Sequence, residues 1–131
     1  MSAILGVGLD LVELSRIARL YERHGEAFTQ RFCLPGERQD RRRETLIQHL
    51  GGLFAAKEAV LKALGTGWAQ RIGLLQIEIQ RRAGGAPTVR LHREAERRAG
   101  AMGVRAVHLS ITHDRGYAAA VAVLEGGPPP A

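Results

Sequence analysis

Apolar residues fall in short strand-like runs and in one long stretch of helical spacing. Residues 3–12, Ala-Ile-Leu-Gly-Val-Gly-Leu-Asp-Leu-Val, form a continuous apolar run broken by one carboxylate. Length and β-branched content predict a buried strand there, with Asp10 near its C-terminal end. Ser15 is placed to cap a helix running to about Tyr21 or Arg23, with Leu14, Ile17, Ala18 and Tyr21 inward and Arg16, Arg19 and Arg23 outward. Pro35-Gly36 marks a turn, and the charged stretch that follows, with Arg41-Arg42-Arg43, is expected in solvent. From about residue 44 to 64, Leu46, Ile47, Leu50, Leu53, Phe54, Val60, Leu61 and Leu64 recur at helical spacing, and Gly65 is a natural C-cap. Gly51-Gly52 interrupts that helix, each glycine costing about 1 kcal/mol against alanine unless tight packing, a close backbone approach or an interface requires it.

Alternation over residues 74–81, a turn at Gly84-Gly85-Ala86-Pro87 and a return over 88–91 read as a hairpin. Residues 92–102 read as a short Arg/Glu helix, and 106–112 with 117–124 as a second antiparallel hairpin across His113-Asp114-Arg115-Gly116. No internal repeat or linker appears, so the chain reads as one α+β domain over 1–125, a long helix against an antiparallel sheet, with 126–131 as a frayed tail.

Composition adds few constraints. With 131 residues, 45% of them hydrophobic, the chain suits one domain with one core, which excludes disorder and a multidomain machine. Cys33 is the single cysteine, so no internal disulfide forms and a reducing cytoplasm is expected. No run approaches the roughly 18–20 apolar residues that span a bilayer, and no basic leader precedes the first strand, so a soluble cytosolic protein without a membrane partner is expected.

A formal net charge of +6 calls for a polyanionic partner. Nucleic acid is one reading, but few of Tyr21, Phe28, Phe32, Phe54, Trp68 and Tyr117 lie beside arginines, and it leaves Asp10 and Glu58 unexplained. The cations are 17 arginines and only two lysines, Lys57 and Lys62, both within residues 54–63.

Asp10 in an apolar strand needs a cationic partner or a metal, because burying an unpaired charge costs several kcal/mol. A salt bridge to an arginine is the plain alternative. Glu58 lies among Phe54, Ala55, Ala59, Val60 and Leu61, and an exposed Lys57-Glu58 surface pair is its plain alternative. Glu58 and Lys62 stand i, i+4 on one helix, the order that favours a local salt bridge. Two carboxylates on different elements, a lysine one turn away and the segment Gly65-Thr66-Gly67 are also a set that can hold Mg²⁺ while substrate phosphates and water complete its octahedron.

These residues resemble a known family, the holo-[acyl-carrier-protein] synthases, which are the short 4′-phosphopantetheinyl transferases of fatty-acid synthesis. The likeness covers nearly the whole chain. Residues 6–14, Gly-Val-Gly-Leu-Asp-Leu-Val-Glu-Leu, resemble the family opening G-[IV]-G-x-D-[IL]-x-x-[IL], followed by Arg16-Ile17 and later by Phe28-Thr29-Gln30-Arg31-Phe32 and Glu37. Residues 54–67 resemble its signature F-A-x-K-E-A-x-x-K-A-x-G-T-G, and His108-Leu109-Ser110-Ile111-Thr112-His113 its final strand. Four matches in order at the right separations are highly specific.

The resemblance implies an enzyme that moves 4′-phosphopantetheine from coenzyme A to a serine hydroxyl of apo-acyl carrier protein, with Mg²⁺, releasing adenosine 3′,5′-bisphosphate. By the family pattern Asp10 and Glu58 bind the metal, Lys62 contacts the coenzyme A phosphates, and His113 joins them in the catalytic set. Gly65, Gly85, Pro87, Ser110, Thr112 and His113 line the coenzyme A site with Lys62. The base for the serine proton stays open among a water on the metal, Glu58, His113 and Asp114. The family implies that Arg16 and Arg23 dock the acidic carrier protein, and helical spacing adds Arg19. It also implies a homotrimer with each site between neighbours. One departure stands out: Leu53 occupies a place where similar sequences carry arginine, and Arg71 or the Arg41-Arg42-Arg43 cluster is expected to make up the charge.

Overall fold

The computed structural model describes residues 2–38, 42–65, 72–81 and 84–127, with the side chain of Glu44 set aside. Arg41, Thr66, Gly67, Trp68, Arg71 and residues 128–131 therefore lie outside the described residues. The chain runs β1 (Ala3–Glu13), α1 (Leu14–His24), the single turn α2 (Glu26–Thr29), α3 (Arg43–Leu64), a 3₁₀ turn (Leu74–Gln76), β2 (Ile77–Arg81), β3 (Pro87–Leu91), α4 (Arg93–Met102), β4 (Val104–Asp114) and β5 (Tyr117–Gly126). One antiparallel sheet has the order β1-β5-β4, and β2 pairs β3 in a separate hairpin, so the fold is α+β as the sequence predicts.

Small residues let α3 lie directly on that sheet. Ala118, Ala120, Ala122 and Leu124 of β5 are buried, as are Ala55, Ala56, Ala59 and Ala63 of α3. A Cβ on Gly8 would stand 1.8 Å from the Ala59 carbonyl oxygen, and one on Gly6 2.2 Å from that of Ala63. The glycine pair within α3 answers to packing inside the chain: a Cβ on Gly51 would meet the Leu14 side chain at 2.4 Å, and one on Gly52 that of Ile111 at 3.2 Å. Gly65 ends α3 at φ 68°, the left-handed C-cap expected of it.

Three expectations need correction. First, β1 is buried on one face only. Gly8 and Val12 are buried, but Val7, Leu9 and Leu11 are 60%, 64% and 65% exposed, because no described element of a single chain covers the far side of the sheet. Second, Ser15 does not cap α1, which begins at Leu14; the Leu14 N–H donates to the Gly116 carbonyl at 2.8 Å, and the Ser15 hydroxyl turns back to Glu13. That carbonyl sits in a two-residue hairpin turn with positive φ at Arg115 (43°) and Gly116 (85°), the mirror-image type that suits sheet twist. Third, β5 continues to Gly126, opposite Ala3 on one side and Val104 on the other, so the ordered sheet reaches past the expected start of the tail.

Candidate active site

Asp10 comes to α3 because side chains alternate along β1 and Gly8 removes the obstacle beside it. Its Oδ1 accepts from Lys62 Nζ at 2.9 Å, and the same ammonium donates to the Leu9 carbonyl at 3.0 Å. The Asp10 side chain is mostly buried, so the pair answers the cost of placing a charge in an apolar strand. The partner is a lysine, not one of the arginines. Lys62 accordingly does not form the local i, i+4 pair with Glu58, since β1 offers it a carboxylate and a carbonyl together.

Glu58, one turn before Lys62, is half-buried. Burial raises its pKa above the ordinary carboxylate value; the Asp10 charge raises it further, and Lys62 and Arg16 pull it back down. Asp10, Glu58 and Lys62 are thus one electrostatic cluster drawn from two elements, β1 and α3. No group of three or more metal-ligating side chains occurs among the described residues. A two-carboxylate set of this kind suits Mg²⁺, which takes one or two carboxylates and leaves its other positions to water and phosphate.

The remaining predicted residues fall in separate places. Gly65 follows Lys62 at the exposed end of α3. His113 lines, with Ile111, a cleft of about 640 Å³ whose wall also includes Glu37, Leu53, Glu78, Arg81 and Thr88. Pro87 pairs with Arg81 in the β2–β3 hairpin, and Gly85 is exposed at its turn. Ser110 and Thr112 are exposed and stand opposite Val121 and Ala119, in the rows that hold Leu9 and Leu11 on the open face of the sheet. Asp114, at the end of β4, is exposed opposite Tyr117.

Arg16, Arg19 and Arg23 are exposed along one side of α1. Beside them, Arg16, Leu20, Phe28, Phe32, Phe54 and Leu74 line a largely apolar groove of about 500 Å³. Leu53 is buried in the wall of the His113 cleft, where Arg81 is the arginine present among the described residues. Arg42 and Arg43 are exposed, and Arg43 pairs with Glu22.

Lys57 is the residue that the sequence misplaces. It is fully buried instead of forming a surface pair with Glu58, and it donates to Glu37 Oε1 at 2.6 Å and to the carbonyls of Phe32 (2.5 Å) and Leu74 (3.2 Å). Glu37, also buried, accepts at 2.7 Å from the Leu34 and Ile79 N–H groups. The available signal was the choice of lysine within Ala55-Ala56-Lys57 in a chain that otherwise uses arginine. Cys33 is no candidate nucleophile, because burial pushes its thiol up to about 12.

A two-stranded hairpin and a three-stranded sheet around one long helix, with two carboxylates and a lysine where β1 meets that helix, agree with a family model. The model for the 4′-phosphopantetheinyl transferase superfamily matches residues 6–122, and the chain belongs to that family. It is 47% identical over 123 residues to a holo-[acyl-carrier-protein] synthase of Solidesulfovibrio magneticus, covering 94% of this chain and 99% of the relative. Among solved structures it is similar to the holo-ACP-synthase of Plasmodium yoelii (TM-score 0.84, 29% identity, 98% of this chain and 99% of that one). It is also similar to the Helicobacter pylori holo-[acyl-carrier-protein] synthase in complex with coenzyme A (TM-score 0.75, 31% identity, 90% and 98%).

Proposed function

We propose that this chain transfers the 4′-phosphopantetheine group of coenzyme A to a serine hydroxyl of an apo-acyl carrier protein, releasing adenosine 3′,5′-bisphosphate. The observation that carries the reading is the Asp10–Lys62 pair set beside Glu58, in a chain of this family. The serine oxygen forms a bond to the β-phosphorus, the bond from that phosphorus to the bisphosphate oxygen breaks, and the serine proton passes to a base. Lys62, fixed by Asp10 and the Leu9 carbonyl, offers its positive charge to the pyrophosphate and to the leaving phosphate. Asp10 and Glu58 would hold Mg²⁺, which supplies charge neutralisation at the pyrophosphate. Glu58, with its raised pKa, and His113 in the cleft are the candidates for the proton, together with Asp114.

Coenzyme A binding is assigned to Lys62, Gly65, Gly85, Pro87, Ser110, Thr112 and His113. They do not share one cavity within a chain: the wall of the His113 cleft includes neither Asp10 nor Lys62. A homotrimer with its sites between neighbours would join these groups, and the exposed Val7, Leu9 and Leu11 offer a second copy an apolar face. Leu9→Glu is expected to shift the protein to monomer in sedimentation velocity and to abolish transfer; an unchanged oligomer would remove this face from the interface. The buried, unpaired Cys33 thiol suits a reducing cytoplasm.

Carrier-protein docking is assigned to Arg16, Arg19 and Arg23 and the apolar groove beside them, a match for an acidic partner with apolar side chains. Arg16 also acts on Glu58, so Arg19 gives the cleaner test. Arg19→Glu is expected to raise KM for carrier protein about tenfold and flatten its salt dependence, with KM for coenzyme A unchanged. The reaction itself is tested by intact-mass analysis of apo-acyl carrier protein incubated with this chain and coenzyme A, in Mg²⁺ and in EDTA. A gain of one phosphopantetheine in Mg²⁺ alone supports the reading, and no gain in either rejects it.

A further inference from the structure

Lys57 and Glu37 form a buried ion pair at 2.6 Å, with side chains 0% and 2% exposed, outside the Asp10–Glu58–Lys62 cluster. Stability alone explains such a pair poorly, since apolar replacements of buried ion pairs are often as stable. Its partners are more informative. Lys57 fastens the carbonyls of Phe32 and Leu74 to α3, and both residues line the apolar groove beside Arg16. Glu37 fastens the Ile79 N–H of β2, and Glu37 and Ile79 both line the His113 cleft. One buried pair therefore holds a wall of each cavity against the helix that carries Glu58.

We propose that Lys57 and Glu37 are positioning residues that set the carrier-protein groove and the coenzyme A cleft together, so that both substrates meet α3 in register. This rests on the function proposed above. In Glu37→Gln the amide oxygen still accepts from Lys57, but its NH₂ faces the Ile79 N–H, so the link to the cleft wall is the one lost. Lys57→Met removes the links to both walls.

The test is steady-state kinetics of both variants with each substrate varied, corrected for folded fraction by circular dichroism. Glu37→Gln is expected to raise KM for coenzyme A roughly tenfold and leave that for carrier protein near wild type, whereas Lys57→Met raises both by roughly that factor. Losses confined to kcat and proportional to unfolded protein would overturn the proposal, because a purely structural pair behaves that way. If Lys57→Met does not fold, Glu37→Gln decides alone by the selectivity of its effect. Should wild type transfer nothing, the functional reading fails, and amide exchange then tests the pair: on Glu37→Gln, Ile79 must lose protection while Phe54 keeps it, and equal loss at both overturns the inference.

Discussion

Glu58→Gln is expected to abolish transfer and, in EDTA, to melt higher than the unaltered chain. On the reading proposed above, in which Glu58 would help to hold Mg²⁺, activity falls by at least about 10²–10³-fold in kcat/KM on the scale of preorganised charge stabilisation. Stability moves the other way. Burial, and then the Asp10 charge, raise the pKa of Glu58, so folding disfavours its ionised form. For a carboxylate whose folded pKa exceeds the unfolded one, that penalty is present above the folded pKa and disappears as pH falls through it toward the ordinary value. Glutamine removes the penalty at neutral pH. Because Glu58 is only half-buried, solvent screening limits the rise to about 2–4 °C, and the difference shrinks as the pH is lowered. Scanning calorimetry from neutral pH down to the ordinary carboxylate range checks the sign, and a variant that melts lower throughout would show that Glu58 stabilises the fold. Asp10→Asn is expected to lose transfer to a similar degree, since it weakens the hold on Lys62 as well.

Gly8→Ala is expected to be the most damaging added methyl among the described glycines. Its Cβ would sit 1.8 Å from the Ala59 carbonyl oxygen and 2.8 Å from the Ala63 nitrogen, and both are helix backbone that cannot rotate aside. Either β1 leaves α3 or the helix bends, and a cost of about 3 kcal/mol or more follows, at the upper end for overpacking. The same displacement carries Asp10 away from Lys62, so transfer should fall further than the loss of folded protein explains. Urea denaturation gives the first quantity and kcat on the folded fraction the second. A change under about 1 kcal/mol would mean that β1 does not approach α3 this closely.

The order of elements was legible because the apolar periods are clean. Residues 44–64 carry a helical repeat, the alternation after residue 74 marks a strand, and the apolar runs 106–112 and 117–124 on either side of a turn mark two more. The candidate cluster was legible through its motif, since Asp10, Glu58 and Lys62 lie together where β1 meets α3. What escaped reading depends on neighbours distant in sequence. An unbroken apolar run looks the same whether both faces of β1 are covered within the chain or one is left open. A carbonyl from the Gly116 turn replaced the Ser15 cap, and nothing local to Ser15 announces it. Lys57 beside Glu58 has the pattern of a surface pair, and only the approach of Glu37, Phe32 and Leu74 makes its interior position tenable.

The strand order β1-β5-β4 has a consequence for how the chain comes into being. The first strand finds its hydrogen-bonding partner in the last, Ala3 opposite Gly126, and that last strand is the middle of the sheet. On the ribosome, β1 and β4 have no partner in this sheet until β5 has emerged, so the sheet closes in one late, non-local step. Until then β1 has α3 to pack on but no strand to pair with, and only after closure does its outer face exist as part of a sheet that another copy could recognise.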